Sequence, residues 1–207
     1  MDWPPGFFDR IDAAPDRFFY GAPRLVTHID DNAIDAVGAL YAELGLTGEV
    51  LDLMSSWISH FTKPPSRLTV LGMNRLELEA NPAAAVRVVH DLNADPALPF
   101  PDDAFDGAVC SVSVDYLTSP VEVFRDLSRV VRRGGPFVCT FSNRLFPTKA
   151  IRGWLDATDE ERCGIVRRYF EDAGTWGEPR VRRATPPDAR GDPLFGVWAF
   201  NTKGPAF

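Results

Sequence analysis

Residues 49–57 read Glu49-Val50-Leu51-Asp52-Leu53-Met54-Ser55-Ser56-Trp57, an apolar run through one aspartate that continues into a turn without glycine. An apolar strand that leads through a short turn into a helix is how an open α/β fold presents a cofactor at the carboxyl ends of its strands. Glycine normally lets the backbone approach the ligand in such a turn. Here the side chains of residues 54–57 enter that space, so either the cofactor sits differently or the site is filled.

The composition predicts one domain over residues 1–207 with a substantial core, because 45% of the residues are hydrophobic and 25% are charged. A net charge of -7 offers no basic surface, so we expect no nucleic-acid partner. No signal peptide or membrane span is visible, which predicts a cytoplasmic protein without a membrane partner. Cys110, Cys139 and Cys163 lack the spacing of a zinc site or a disulfide framework, so no metal is predicted. The sequence indicates no particular oligomeric state.

Strands and helices alternate along most of the chain. Five apolar runs predict strands at 49–53, 67–73, 86–91, 106–112 and 136–141. Helical spacing and helix-end signals predict helices at 29–44, 55–63, 75–80, 119–133 and 158–170. Two further strands, at 180–184 and 194–201, predict an antiparallel hairpin near the C-terminal end. The alternation indicates an α/β fold with a doubly wound, mostly parallel seven-stranded sheet that ends in this C-terminal antiparallel hairpin.

Two of the predicted helices begin with the pattern of a capping box. Ser119 precedes Pro120 and is followed by Glu122, and Thr158 lies three residues before Glu161. In such a box the first side chain accepts a hydrogen bond from the helix backbone, and the glutamate reaches back to the cap residue.

Two segments carry a family resemblance. One reads Leu98-Pro99-Phe100-Pro101-Asp102-Asp103-Ala104-Phe105-Asp106, and the other reads Ser128-Arg129-Val130-Val131-Arg132-Arg133-Gly134-Gly135-Pro136-Phe137-Val138. Over residues 48–143 the chain resembles class I S-adenosylmethionine-dependent methyltransferases, in particular the small-molecule type with a methyltransferase-11-like domain. The resemblance implies a Rossmann-like methyltransferase fold, divided into an N-terminal lid and helical segment (1–47), a cofactor-binding core (48–145), and C-terminal helices with a β-hairpin (146–207).

The resemblance also implies S-adenosylmethionine as the cofactor. It places Asp52 at the strand-one acid, Asn74 where an acid usually binds the ribose hydroxyls, and Asp91 beside the adenine. The cofactor contacts that it implies are Asp52, Met54, Ser55, Ser56, Asn74, Asp91, Leu92 and Ser111. The two serines either offer hydroxyls or helix-start amides to the methionyl carboxylate or cap the helix that follows them.

Polar residues near the same sheet edge are candidates for the acceptor side. His28 is a candidate catalytic residue, because its usual pKa lies near neutrality; the alternative is a histidine at the entry to a helix capped by Asp30. Tyr116 is the second catalytic candidate, and its alternative is an aromatic residue that fills a turn. The candidate substrate contacts are Tyr20, Asp115 and Asn143. Arg24 is either a partner for the cofactor carboxylate or a surface arginine.

Two functions from different classes follow from these features. The first is S-adenosylmethionine-dependent transfer of a methyl group to a small-molecule acceptor, which the acidic charge favours over a nucleic-acid or protein acceptor. The second is a catalytically inactive methyltransferase-like protein that serves in binding or assembly, supported by the absence of glycine between Asp52 and Thr62. A nicotinamide-dependent Rossmann enzyme is disfavoured, because no strand is followed by G-x-G-x-x-G.

Overall fold

A computed structural model describes residues 2–188 and 190–204. Its strands are β1 (Glu49–Leu53), β2 (Arg67–Gly72), β3 (Ala84–Val89), β4 (Gly107–Ser111), β5 (Pro136–Phe141), β6 (Arg180–Arg183) and β7 (Phe195–Phe200). Its helices are α1 (Asp16–Phe19), α2 (Asp31–Glu43), α3 (Arg75–Ala80), α4 (Pro120–Val130), α5 (Arg152–Leu155) and α6 (Asp159–Ala173), with one 3-10 turn at Val114–Tyr116. None of the helices in the described residues is long and apolar enough to cross a membrane.

The seven strands form one sheet in the order β3-β2-β1-β4-β5-β7-β6. The first five strands are parallel, and β7 runs antiparallel between β5 and β6. The predicted doubly wound, mostly parallel sheet with antiparallel C-terminal strands is therefore confirmed. Because β2 and β4 lie on opposite sides of β1, the order reverses there, and ligands of such sheets bind beyond the carboxyl ends of the strands at this point.

Apolar side chains cover both faces of the sheet. On one face α4 and α6 contribute Phe124 and Phe170, whose ring centroids lie 4.9 and 5.5 Å from that of Phe137 in β5. On the other face α2 buries Val37 and Leu40 in a cluster with residues of β1, β2 and β5. Coverage on both sides explains why β1, β2 and β5 are buried at nearly every position instead of alternating between buried and exposed.

The two predicted capping boxes have different outcomes. The box at α6 is confirmed, because the Thr158 hydroxyl accepts from the Glu161 backbone N–H and the Glu161 carboxylate accepts from the Thr158 backbone N–H. The box at Ser119 and Glu122 is wrong. The Ser119 side chain makes no cap hydrogen bond, and α4 starts with Pro120 in its first turn, where a missing N–H costs little.

The helix predicted directly after β1 is wrong, because residues 54–66 cross to β2 without a helix. Tertiary hydrogen bonds fix the course of this segment. Ser55 N donates to Leu71 O at 2.8 Å, and the Asn81 side-chain amide donates to Ser56 O at 3.0 Å. The segment thus offers no helix N-terminus, and the helix-start amides predicted for the two serines do not exist.

Candidate functional site

A cavity of about 510 Å³ lies beyond the carboxyl ends of β1, β2, β3 and β4. Its volume falls in the range of small-molecule sites. The residues at or just after the strand ends that line it include Met54, Asn74, Asp91, Leu92 and Ser111. The cavity is also lined by residues 20–30, which we call the roof, and by residues 144–146. The cavity thus occupies the place at which the sheet topology predicts a ligand.

Asp52 supports the turn after β1 from inside the protein. Only 2% of its surface is exposed. Burial raises the pKa of its carboxyl group to about 7, although hydrogen bonds from Ser59 and Ser55 lower it. The Ser55 hydroxyl donates to Asp52 Oδ2 at 2.7 Å. The Ser55 hydroxyl therefore holds this carboxylate rather than pointing freely into the cavity.

Three residues in the cavity wall have a left-handed backbone conformation, and one of them is His60 with a φ of 55°. Met54, directly after β1, has a φ of 52°, and Val112, directly after β4, has a φ of 45°. A left-handed conformation costs a residue other than glycine about 1–3 kcal/mol, and it is a clear outlier for the β-branched Val112. The backbone N–H of Val112 donates a hydrogen bond to Thr140 O at 2.7 Å, which fixes the backbone conformation of Val112. The neighbouring Ser111 and Thr140 hydroxyls lie 3.1 Å apart. The turn after β1 thus has, at Met54, the left-handed backbone conformation that glycine adopts without strain.

Asn74 caps α3 and holds the roof at the same time. Its Oδ1 accepts hydrogen bonds from Leu76 N and Glu77 N at 3.0 and 3.2 Å. Its Nδ2 donates to Tyr20 O and Gly21 O at 2.9 and 3.2 Å. An amide side chain has two acceptor positions and two donor hydrogens, so all four are used. In this arrangement Asn74 lines the cavity but has no acceptor position left for a ribose hydroxyl.

Two further contacts tie the roof to the edge of the sheet. Trp57 Nε1 donates to Val26 O at 3.0 Å. Arg24 N donates to Glu77 Oε1 at 2.7 Å, and the other carboxylate oxygen of Glu77 accepts from the Ser56 hydroxyl at 2.6 Å. Two of the side chains that occupy the turn after β1 therefore hold the roof, Trp57 directly and Ser56 through Glu77.

A buried ion cluster anchors the chain that precedes the roof. Lys149 is completely buried, and its ammonium group lies 3.0 Å from both Asp16 Oδ1 and Asp12 Oδ2. Asp16 also accepts hydrogen bonds from Arg10 and from Asn93 Nδ2, each at 2.8 Å. Breaking a buried ion pair from one side costs about 3–5 kcal/mol, since it leaves a charge without compensation. The cluster thus fixes the N-terminal segment against the chain after β3 and β5.

Asp91 and Leu92 follow β3 at one end of the cavity. Asp91 Oδ1 accepts hydrogen bonds from Asn93 N and Ala94 N at 3.0 and 3.2 Å, which forms a local turn. In residues 2–188 and 190–204 no donor is bonded to its second carboxylate oxygen. Leu92 is buried beside it. This end of the cavity therefore combines a free acceptor with an apolar surface.

His28 and Tyr116 flank one aromatic ring in another part of the cavity wall. The centroid of the Phe146 ring lies 5.2 Å from that of His28 and 5.9 Å from that of Tyr116. Desolvation lowers the pKa of His28 below its usual value of 6.5, so the imidazole is neutral at neutral pH. Burial raises the pKa of Tyr116 well above its usual value, and the Tyr116 hydroxyl accepts a hydrogen bond from Phe146 N at 2.9 Å. The wall thus offers a proton acceptor and a hydroxyl group that both lie against the ring of Phe146.

The predicted substrate contacts separate into two groups. Tyr20 lines the cavity, and its buried hydroxyl has no hydrogen-bond partner among the residues that the structure describes. Asp115 is buried outside the cavity lining, and burial raises its pKa to about 7. Asn143 is exposed and also lies outside the lining. The structure therefore brings Tyr20, His28 and Tyr116 to the cavity but not Asp115 or Asn143.

Several residues of the cavity wall were not predicted from the sequence, namely Asp16, Glu77, Asn93, Phe146 and Asp192. Asn93 carried a usable signal, because it lies two residues after Asp91 in a segment of turn-forming residues. The other four have no local pattern that separates them from surface charges or core aromatics, and only the packing of distant segments brings them to the cavity.

Comparison with known proteins gives the same assignment as the fold. Residues 44–139, from the end of α2 into β5, match the family described as "Methyltransferase domain". A solved S-adenosylmethionine-dependent methyltransferase from Aquifex aeolicus has a TM-score of 0.58 and 17% identity, covering 97% of this chain and 100% of that chain. Another from Mesorhizobium loti has a TM-score of 0.56 and 17% identity, covering 80% of this chain and 98% of that chain.

A third solved structure is the geranyl diphosphate C-methyltransferase of Streptomyces coelicolor, in complex with S-adenosylhomocysteine. It has a TM-score of 0.53 and 13% identity, covering 80% of this chain and 77% of that chain. At these identities the structural likeness shows the fold. No curated protein sequence matches the chain.

The matched residues include β1 to β4, whose ends form the floor of the cavity. The solved methyltransferase from Aquifex aeolicus shares the fold over nearly the whole chain. Residues 44–139 therefore match a methyltransferase domain, and the fold is that of the S-adenosylmethionine-dependent methyltransferases, whose cofactor is S-adenosylmethionine.

Proposed function

We propose that the protein transfers a methyl group from S-adenosylmethionine to a small-molecule acceptor held in the cavity. The observation that carries this proposal is the roof. Three hydrogen-bonded contacts, at Asn74, Glu77 and Trp57, hold it over the ends of the strands. An acceptor must therefore fit into the space of about 510 Å³ that it shares with the cofactor. A folded protein or a nucleic-acid duplex would first have to displace the roof.

The cavity fits the cofactor in two respects and differs from the family pattern in one. The free carboxylate oxygen of Asp91 and the apolar side chain of Leu92 suit the adenine, and Met54 and Ser111 line the same cavity at the ends of β1 and β4. Asn74 differs, because its amide is used by the protein itself. Asp91 and Leu92 are the residues that would hold the nucleoside.

When bound, S-adenosylmethionine supplies a methyl group that is already electrophilic. The protein then has to align the acceptor and exclude water, and the roof that covers the strand ends would serve both purposes. An acceptor that arrives protonated, such as a phenol or an amine, must lose one proton in the reaction. Neutral His28 accepts that proton, and the Tyr116 hydroxyl orients the acceptor through a hydrogen bond.

Transfer of an isotope-labelled methyl group tests the acceptor class. The protein is incubated with labelled S-adenosylmethionine and a metabolite extract, and the low-mass, protein and nucleic-acid fractions are analysed separately by mass spectrometry. We expect the label in the low-mass fraction, and less of it with His28→Gln. Label in the protein or nucleic-acid fraction alone would contradict a small-molecule acceptor.

A second candidate function is a catalytically inactive relative that serves in binding or assembly. The observation that favours it is that polar side chains expected to bind the cofactor instead make hydrogen bonds within the protein. Asn74 has no free hydrogen-bonding position, and the Ser55 and Ser56 hydroxyls donate to Asp52 and Glu77. This candidate predicts a folded protein that produces no S-adenosylhomocysteine with any acceptor and binds neither form of the cofactor.

A further inference from the structure

Arg24 differs from the other partly buried arginines of the chain. Besides Arg24, this group consists of Arg10, Arg129, Arg162, Arg168 and Arg182. Each of these five forms an ion pair with an aspartate or a glutamate. Among the described residues, no carboxylate lies within ion-pair distance of the Arg24 guanidinium. A half-buried cation without a counter-charge is costly, because desolvation is not offset by an anion.

The surroundings of Arg24 hold its guanidinium in place without neutralising it. Its carbon Cζ lies 4.6 Å from the ring centroid of Phe19 and 5.6 Å from that of Phe146. One guanidinium nitrogen donates to Phe19 O at 2.9 Å. A guanidinium carries five N–H donors, so most of them are left for a ligand, and the two rings limit the orientations that it can take. Arg24 lines the cavity.

Two acids of the cavity wall, Glu77 and Asp16, already have partners. Both carboxylate oxygens of Glu77 accept from neutral donors, the backbone N–H of Arg24 and the Ser56 hydroxyl. Asp16 is paired with Arg10 and Lys149. None of these carboxylates can turn to the Arg24 guanidinium without giving up the hydrogen bonds that it makes.

We propose that Arg24 is the carboxylate-binding residue of the cavity. Planar bidentate pairing is the strongest contact that a guanidinium makes with a carboxylate. The inference rests on the proposed function, because the carboxylate belongs to a ligand of that cavity. Its source is either the amino-acid end of the cofactor or a carboxylate of the acceptor, and the two sources are separable by experiment.

Calorimetric titration of wild type and Arg24→Gln with two nucleosides tests the first source. S-adenosylhomocysteine carries the amino-acid end, and methylthioadenosine has the same nucleoside and thioether but no carboxylate. Arg24→Gln keeps a donor for Phe19 O and removes the charge, and Arg24→Lys restores the charge. Arg17→Gln is the matched control, because Arg17 also lies over a phenylalanine ring, at 4.7 Å, in the same segment but outside the cavity.

If the cofactor supplies the carboxylate, Arg24→Gln weakens S-adenosylhomocysteine binding by about tenfold to a hundredfold, as expected for a charge-assisted contact. Methylthioadenosine then binds both proteins equally well, and Arg24→Lys recovers part of the loss. If the acceptor supplies it, neither nucleoside is affected. Benzoate then binds the wild type saturated with S-adenosylhomocysteine, detected by NMR, and fails to bind Arg24→Gln.

Two results overturn the inference. In the first, Arg24→Gln binds both nucleosides and benzoate as the wild type does. In the second, it loses affinity for both nucleosides equally, which indicates damage to the roof. Both results require that wild type binds methylthioadenosine, so they leave the proposed function intact. A wild type that binds neither nucleoside contradicts the proposed function and the inference together.

Discussion

Replacing Asn74 with aspartate separates its two roles. The carboxylate of Asp keeps the cap of α3, since it accepts hydrogen bonds from Leu76 N and Glu77 N at least as well as an amide. It cannot donate to the carbonyl oxygens of Tyr20 and Gly21, which now lie 2.9 and 3.2 Å from the amide nitrogen. The substitution therefore removes the bonds to the roof and puts a negative charge against two carbonyl dipoles.

The magnitude follows from those two bonds. Each neutral hydrogen bond contributes about 1 kcal/mol, and a buried group left without a partner costs about 1–3 kcal/mol. Gly21 is exposed, so its carbonyl can accept a hydrogen bond from water, which keeps the loss near the lower end. We expect Asn74→Asp to reduce the free energy of unfolding by about 2 kcal/mol in urea denaturation, and hydrogen exchange of the roof to accelerate.

Asn81→Asp is the matched control for this variant. Asn81 is also a buried asparagine whose amide donates two hydrogen bonds, but they go to Ser56 O and Ser59 Oγ in the loop after β1. It should destabilise the protein without a selective effect on exchange in residues 20–30. If Asn74→Asp were as stable as wild type, with unchanged exchange in the roof and tighter cofactor binding, Asn74 would be the ribose contact that its position in the family implies.

Three further perturbations have outcomes that follow from single contacts. The folded-state pKa of Asp52 is about 7 against 3.8 in the unfolded chain, so its protonated form is favoured by folding and stability falls as pH rises from about 4 to 7. Asp52→Asn should remove up to about 4 kcal/mol of that fall, measured by urea denaturation across this range, leaving the part due to Asp115. Trp57→Phe keeps an aromatic ring but removes the hydrogen bond to Val26 O, so limited proteolysis should cleave the roof faster. An unchanged cleavage rate would show that Trp57 does not hold the roof. Lys149→Met should destabilise the fold by about 3–5 kcal/mol in thermal denaturation, and a smaller loss than 1 kcal/mol would show that the buried cluster does not anchor the N-terminal segment.

The strands were predictable from the sequence because their physical signal is local. The predicted strands at 49–53 and 136–141 have the observed bounds, and the others differ by one or two residues at one or both ends. A strand buried on both faces is a continuous apolar run, and the residues around it are turn formers. The order of the strands was accessible only through the family resemblance, since seven strands can be arranged in many ways.

The cavity wall was less predictable, because its polar contacts join distant segments. Two serines before a short apolar stretch look like a helix start, but the hydrogen bonds of Ser55 and Asn81 to other segments outweigh that preference. Compared with the acid that the family usually has at this position, the amide of Asn74 suggests a weaker ribose contact. In the fold it has to donate as well as accept, which no carboxylate can do at neutral pH.

Calorimetric titration of the wild type with S-adenosylhomocysteine tests the central claim, that the cavity under the roof is a working cofactor site. We expect saturable binding at one site per chain with a dissociation constant in the micromolar range, a binding free energy on the order of -8 kcal/mol. The same ligand should raise the melting temperature, because it binds only the folded state. No heat and no thermal shift at millimolar ligand would contradict the account and favour the inactive relative.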